Sequence, residues 1–518
     1  MKTLQDRTLT TYSGKPIPPP VFGLPKEIDS VCPDCSTVIK ALLYAEAGKV
    51  WIRKSCPEHG EFKDIFFGDE ALYLRCESLW FGDGRGVSNP AVRGSAACPM
   101  GCGLCEMHAS PSGLPILDLT NRCDLNCPMC FANAGSRGPV YEPTLDQVTR
   151  MLEGLKAQKP VPADRVQFSG GEPTLRPDFL DIVRKAVELD FFYIQVNTNG
   201  LRMADFSFAQ AAKEAGVETL YMQFDGMSDD VYRKTRGRPL LDAKLAAIEN
   251  CRKLGMCVIL APTVIRGVND HEVGAIARFA ARNYDVVRGV TYQPVAFIGR
   301  YSHSYRLQRR YTLSDLAFDL ESQAGMIQPM RDWLPVGVSV AFSRLAEAMS
   351  GKSRFNISLH PHCSQGCYLY VCEDGSTLPY SAFVDLDSLL RDIARLARTL
   401  KPSGFGPLSK VKVLYTLQKH FNREKAPKGL TFEGLLQTME GWQEKKFRRA
   451  FAGKEGRKRS YRHFYLSGMH FMDGYNFSLE RLRRCVIHYP SPDGRLYPFC
   501  AYNGIPGHRR SVEERFHA

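Results

Sequence analysis

Between residues 114 and 300 the chain switches six times between two hydrophobic periods. The apolar runs "LPILDL", "RVQFSG", "FYIQVNT", "ETLYMQF", "MCVILAPTV" and "VRGVTYQPV" have the length of strands. Stretches such as "TLDQVTRMLEGLKAQ", "DFLDIVRKAVEL" and "HEVGAIARFAARN" fall between them and space their apolar residues as helices do. Apolar strands separated by amphipathic helices bury themselves as a parallel sheet with helices laid over it. The expected fold class is α/β: a partial (β/α)6 barrel, with functional residues at the C-terminal ends of its strands.

A chain of 518 residues is too long for one core. We divide it into residues 1–90, a metal-binding region; 91–113, an auxiliary segment; 114–310, the barrel; and 311–518, a C-terminal extension. The start, "MKTLQDRTLTTYSGKPIPPP", has no apolar signal region, and no window reaches the ~18 apolar residues of a membrane span. A cytoplasmic location is expected. In a reducing compartment the 17 cysteines then point to metal or redox chemistry. Cys32 and Cys35 in "CPDC", with Cys56 and His59 in "CPEHG", form two knuckles suited to a tetrahedral zinc or a rubredoxin-like iron. The net charge of +13, with the basic run "KKFRRAFAGKEGRKRSYRH", suits an anionic partner, or simply a solvated face.

The first apolar run leads into "NRCDLNCPMCFAN", which offers Cys123, Cys127 and Cys130, with the aromatic Phe131 directly after the last of them. A cubane cluster has four irons, so three thiolates leave one iron open to a small-molecule ligand. Here the sequence resembles the radical S-adenosylmethionine (SAM) superfamily. In that family the open iron chelates the amino and carboxylate groups of SAM, and electron transfer releases a 5′-deoxyadenosyl radical. The resemblance extends to "SGGEP", where Gly170, Gly171, Glu172 and Pro173 match the motif for the methionyl amino group. It also implies that Asn199 in "VNTNG" and Gln223 and Asp225 in "MQFDG" face cofactor or substrate. Arg266 in "PTVIRGVND" is a candidate carboxylate or phosphate contact.

A narrower resemblance rests on "CPMGCGLCEMH", "LDLTNRCDLNCPMCFANAG", "MQFDGMSDDVYRKTRG", "HPHCS" and "GMHFMDGYNFSLERLRRCVIHY". Together these are similar to the tetraether synthase family, which couples archaeal ether-lipid chains through a carbon–carbon bond. The resemblance implies auxiliary [4Fe-4S] clusters, one on Cys98, Cys102 and Cys105 and another on Cys363, Cys485 and Cys500. "HASPSGLPIL" lacks a cysteine expected there, so His108 or Cys76 are substitutes to weigh, Cys76 being otherwise a buried helix residue. Cys367 and Cys372 are extra and could complete the C-terminal set, while Cys251 and Cys257 read as core.

The expected function is thus lipid-chain coupling through two hydrogen abstractions, on a substrate with an anionic headgroup. Peripheral membrane contact and an electron donor such as ferredoxin or flavodoxin go with it. The alternative is a radical SAM C-methyltransferase acting on a pterin-like or other small molecule. A bare iron–sulfur carrier or nucleic-acid binder fits worse, because a carrier needs no open iron; no nucleic-acid partner is expected.

Overall fold

The structure is a computed structural model and describes residues 9–94, 98–135, 140–299, 305–400, 407–435 and 462–516. All but the last two residues of the basic run at 445–463 lie outside the described residues.

The six predicted strands are Leu114–Thr120, Arg165–Gly170, Tyr193–Thr198, Thr219–Gln223, Cys257–Ala261 and Val287–Pro294. They are parallel and pair in chain order, with registers such as Ile116↔Gln167, Arg165↔Tyr193 and Thr219↔Gln195. Helices cover one face. Leu145–Lys156 starts at a capping box, Thr144 with Gln147, and buries Val148, Met151, Leu152 and Leu155. That stripe meets the outward residues of the strands, among them Leu117, Leu119, Phe168, Val196 and Leu220, in one apolar core.

The alternate residues of the same strands point to the other face, and there the composition changes. Asp118, Gln167, Ser169 and Gln195 are buried although they face away from the helices, because the curled sheet encloses them.

The C-terminal extension is not a separate layer. His463–Met469 adds in parallel beside Val287–Pro294, and Ser364–Val371 pairs antiparallel with it. At the opposite edge Ile487–Pro490 lies parallel to Leu114–Thr120. Chain from beyond residue 310 therefore flanks both sides of the barrel.

Residues 26–67 form a four-stranded antiparallel meander, Lys26–Val31, Val38–Glu46, Lys49–Cys56 and Gly60–Phe67. In a meander the first and third turns fall at the same end, which brings the two Cys-bearing knuckles together. Among the described residues no helix is long and apolar enough to cross a membrane.

Candidate active site

The loop after the first barrel strand gathers Cys123, Cys127 and Cys130 into a small apolar cluster with Leu125, Tyr232 and Leu240. Its base is tied back on itself: Gly135 N donates to Asn121 O at 2.9 Å, and Tyr141 N to Asn121 Oδ1 at 3.2 Å. The second strand ends against this loop. Gly171 N donates to Thr120 O at 2.7 Å and Glu172 N to Arg122 O at 2.8 Å. Gly170 sits at φ +131°, and a Cβ there would lie 2.1 Å from Thr120 O; one on Gly171 would lie 2.1 Å from Arg122 O. The glycines thus bring backbone against the cysteine loop itself.

The remaining strand ends brace the same loop. The fully buried Glu172 carboxylate accepts from Thr174 N and Oγ1, Thr198 Oγ1 and Asn199 N, so it locks the second strand end to the third. Asn199 Nδ2 then donates to Asp124 Oδ1, inside the cysteine loop, at 2.6 Å. Asp225 is fully buried, receives Arg236 Nε and Nη2 at 2.6 and 3.0 Å, and accepts from Thr263 N. Arg236 in turn lies against the Cys127 thiol. Gln223 Oε1 accepts from Lys244 Nζ at 2.6 Å. Burial pushes the Cys123 thiol up to about 12, the condition in which a bound metal is what keeps sulfur ionised.

The signature of the radical SAM superfamily matches residues 117–280, and that of the HMPTM N-terminal zinc ribbon domain matches residues 24–68. A 7,8-dihydro-6-hydroxymethylpterin dimethyltransferase of Methanocaldococcus jannaschii is 40% identical over 496 residues, 95% of each chain. The chain belongs to the radical SAM superfamily and to the family of that dimethyltransferase. A probable GTP 3′,8-cyclase of Methanothermobacter thermautotrophicus is 28% identical over 34% of this chain and 55% of its own. The crystal structure of Streptococcus suis SuiB bound to S-adenosylmethionine matches 41% of this chain and 44% of its own, at 19% identity and a TM-score of 0.32. The relative that spans nearly the whole chain is a pterin dimethyltransferase, so the expectation of a tetraether synthase is corrected. As a radical SAM enzyme the protein uses a [4Fe-4S] cluster and SAM. Three cysteines in one apolar cluster, with no fourth cysteine among its described members, fit a cluster with one open iron.

The N-terminal knuckles also fit their metal. Cys32, Cys35, Cys56 and His59 place their ligand atoms within 4.8 Å of one another. Cys35 Sγ to Cys56 Sγ is 3.8 Å, Cys32 Sγ to His59 Nδ1 3.8 Å, and Cys56 Sγ to His59 Nδ1 3.5 Å. A tetrahedral ion with metal–sulfur bonds of ~2.3 Å spaces its donors at roughly that distance.

Two further cysteine triads lie behind the barrel edge, and all their members but Cys105 share one apolar core. Cys363, Cys485 and Cys500 line a small cavity of about 30 Å³ together with Phe471, Arg481 and Phe499. Arg481 Nε donates to Cys363 Sγ at 3.3 Å. Cys98, Cys102 and Cys105 form the other, where hydrogen bonding from Cys102 brings the Cys98 thiol down to about 7. Phe131 meets Phe499 at 5.8 Å between ring centres and Phe499 stacks on Phe471 at 3.7 Å, so an aromatic path joins the Cys123–Cys130 loop to the cavity.

Several expected roles change. Cys367 and Cys372 do not reach the C-terminal triad: the strand Ser364–Val371 carries the chain away from Cys363 at roughly 3.3 Å per residue. Cys367 is buried in the barrel core instead. Cys76 is buried in the helix Glu70–Ser78, accepting from Gln365 Nε2 at 3.1 Å. His108 Nε2 donates to Cys485 O at 2.7 Å and lies 3.1 Å from His488 Nε2, between the two triads. Arg266 is held by Asp315 at 2.8 Å and by Arg310 O, a brace on an outer helix rather than a ligand contact. Cys251 is core, whereas Cys257 is only half-buried. Arg236 and Lys244 were not singled out in the sequence. Lys244 left a trace there, a lysine at the helical spacing of Leu241, Ile248 and Cys251 on an otherwise apolar face.

Proposed function

We propose that the protein is a radical SAM C-methyltransferase that acts on a reduced pterin of the 7,8-dihydro-6-hydroxymethylpterin kind. The observation that carries this reading is the chemistry of the barrel lumen. Gln167 Nε2 donates to Gln195 Oε1, Asn197 Nδ2 to Ser169 Oγ at 3.0 Å, Gln293 Nε2 to Tyr221 OH at 2.9 Å, and Ser467 Oγ pairs with Thr291 Oγ1 at 3.1 Å. A lumen lined with amides and hydroxyls suits a flat heterocycle with donors and acceptors on its edge. Each of these groups has a further donor or acceptor position to offer, which a pterin edge could meet and a hydrocarbon chain could not. The 40% identity to the pterin dimethyltransferase supports the same substrate class.

In this reading Cys123, Cys127 and Cys130 hold the cluster, and Gly170–Pro173 with Asn199 frame the SAM site. When bound, the cluster and SAM supply a hydrogen-abstracting carbon radical and a methyl group. The protein's own part is positioning. Glu172 and Asn199 fix the strand ends around the cysteine loop, and Asn197, Tyr221 and Gln293, half-buried on the lumen face, are placed to orient the pterin edge. Cys98, Cys102 and Cys105, and Cys363, Cys485 and Cys500, hold auxiliary clusters that pass or store electrons. The electron donor is of the ferredoxin or flavodoxin class, and a cytoplasmic setting keeps the cysteines out of disulfides.

The test is an anaerobic reaction of the reconstituted protein with SAM bearing a deuterated methyl group, a strong reductant and 7,8-dihydro-6-hydroxymethylpterin. Mass spectrometry should find pterin heavier by one or two labelled methyl groups. Unchanged pterin, alongside coupled tails when archaeal ether lipid is supplied, would return the protein to lipid coupling.

A further inference from the structure

Lys244 lies in the helix Leu241–Leu254, fully buried, with its side chain driven under the strand ends of the active site. Nζ donates to Asn199 O at 2.5 Å and to Gln223 Oε1 at 2.6 Å, both neutral acceptors. It stands 5.9 Å from the ring centre of Tyr232, which packs in the same apolar cluster as the three cysteines. Among the described residues no carboxylate comes within ion-pair distance of it. Asp225, the acid of the neighbouring strand end, is already taken by Arg236.

A buried ammonium held only by neutral groups is expensive, and proteins keep one where an anion is to be met. The cysteine loop nearby supplies one. Three thiolates on a cubane give a negative group beside Cys127, and reducing it adds another negative charge. The charged groups facing Lys244 are Arg236, Asp225, Glu172 and Cys127. Without an anion there, burial and Arg236 bring the Lys244 ammonium down to about 7.

We propose that Lys244 is an electrostatic positioning residue for the cluster of Cys123, Cys127 and Cys130: its ammonium offsets the charge added on one-electron reduction and holds the ends of the third and fourth strands around it. The electron comes from a one-electron donor, no bond is made or broken at Lys244, and the residue keeps its proton. The proposal rests on the assignment of a cluster to these cysteines and not on methyl transfer.

The experiment is a redox titration of the full-length, iron-loaded protein followed by electron paramagnetic resonance. The signal to follow is the component that changes when SAM is added. In Lys244→Met the reduced-to-oxidised ratio of that component at fixed potential should fall about tenfold, a shift of about 59 mV for one electron, with the remaining signals unmoved. Lys244→Arg, which keeps the charge, should restore most of the ratio. If Lys244→Met does not fold, Lys244→Gln, which keeps a donor without the charge, takes its place. An unshifted ratio in the uncharged variant, or an equal loss in Lys244→Arg, overturns the role and leaves Lys244 as packing. If no component of the wild-type signal responds to SAM, the cluster assignment itself fails, which is a different result.

Discussion

A methyl group on Gly171 has nowhere to go. Its Cβ would sit 2.1 Å from the carbonyl oxygen of Arg122, which is backbone and one residue from Cys123. Gly171→Ala must push the cysteine loop away from the second strand, a strain of about 1–3 kcal/mol by analogy with overpacked cores. The expected outcome is loss of most SAM cleavage and of the iron bound by this loop, with the metal of the N-terminal ribbon retained; elemental analysis and a deoxyadenosine assay read both. At this scale the sequence was informative where chemistry is local. The C-x3-C-x2-C spacing and the GGEP run are each contained in one loop, so their partners were readable by number. The purpose of the glycines was not readable, because the atom they avoid belongs to the loop after another strand. Nor was the pairing of Asp225 with Arg236, in which a motif acid holds a cation against the cysteine loop.

Among the connecting elements, the segment from residue 470 to 476 does more than join strand to helix. Asp473 accepts from Phe297 N at 2.9 Å, at the end of the sixth barrel strand, and is paired with Arg310 at 2.7 Å. Arg310 also reaches Asp64 in the N-terminal sheet at 2.7 Å. Burial alone would raise the Asp473 carboxyl, but the Arg310 guanidinium and the backbone donors outweigh it and hold it at about 2. A carboxyl lower in the folded chain than its ordinary value of ~3.9 stabilises the fold above that value. Its contribution is lost as pH falls from about 4 toward about 2. Chemical denaturation at several pH values should show this loss in the wild type, and Asp473→Asn should be less stable at neutral pH with a flatter acid limb. Equal slopes in the two proteins would show that Asp473 is not linked to folding in this way. Residues 64, 310 and 473 are too far apart in sequence for spacing to reveal their pairing, whereas the helices and strands themselves were legible from their periods.

At the scale of the whole molecule, the N-terminal ribbon is fastened to a wall of the Cys363–Cys485–Cys500 cavity. Lys54, buried in the ribbon, donates to Val31 O next to the ligand Cys32 and to Gly474 O at 2.5 Å. Ser30 Oγ donates to Phe477 O at 2.7 Å. The chain that takes these bonds continues from Met469, His470, Phe471 and Met472, which line the cavity. Four regions read one after another along the sequence therefore fold as one body: late strands flank both barrel edges, and the first knuckle braces a segment more than 400 residues away. Hydrophobic period tells a strand from a helix but not which strand it will lie beside, so this closure was not legible. The consequence is asymmetric. Removing the ribbon metal, by Cys56→Ser, frees the knuckle that sets Val31 and loosens residues 470–476, but leaves untouched the strand ends that brace Cys123, Cys127 and Cys130. Elemental analysis should show the mononuclear metal gone and iron reduced by about the share of one cluster. Cleavage of SAM without pterin should persist, while methylated pterin falls more steeply if the auxiliary cluster proposed for this cavity takes part in that step. If SAM cleavage and pterin methylation fall together, the ribbon supports the whole barrel and not this wall.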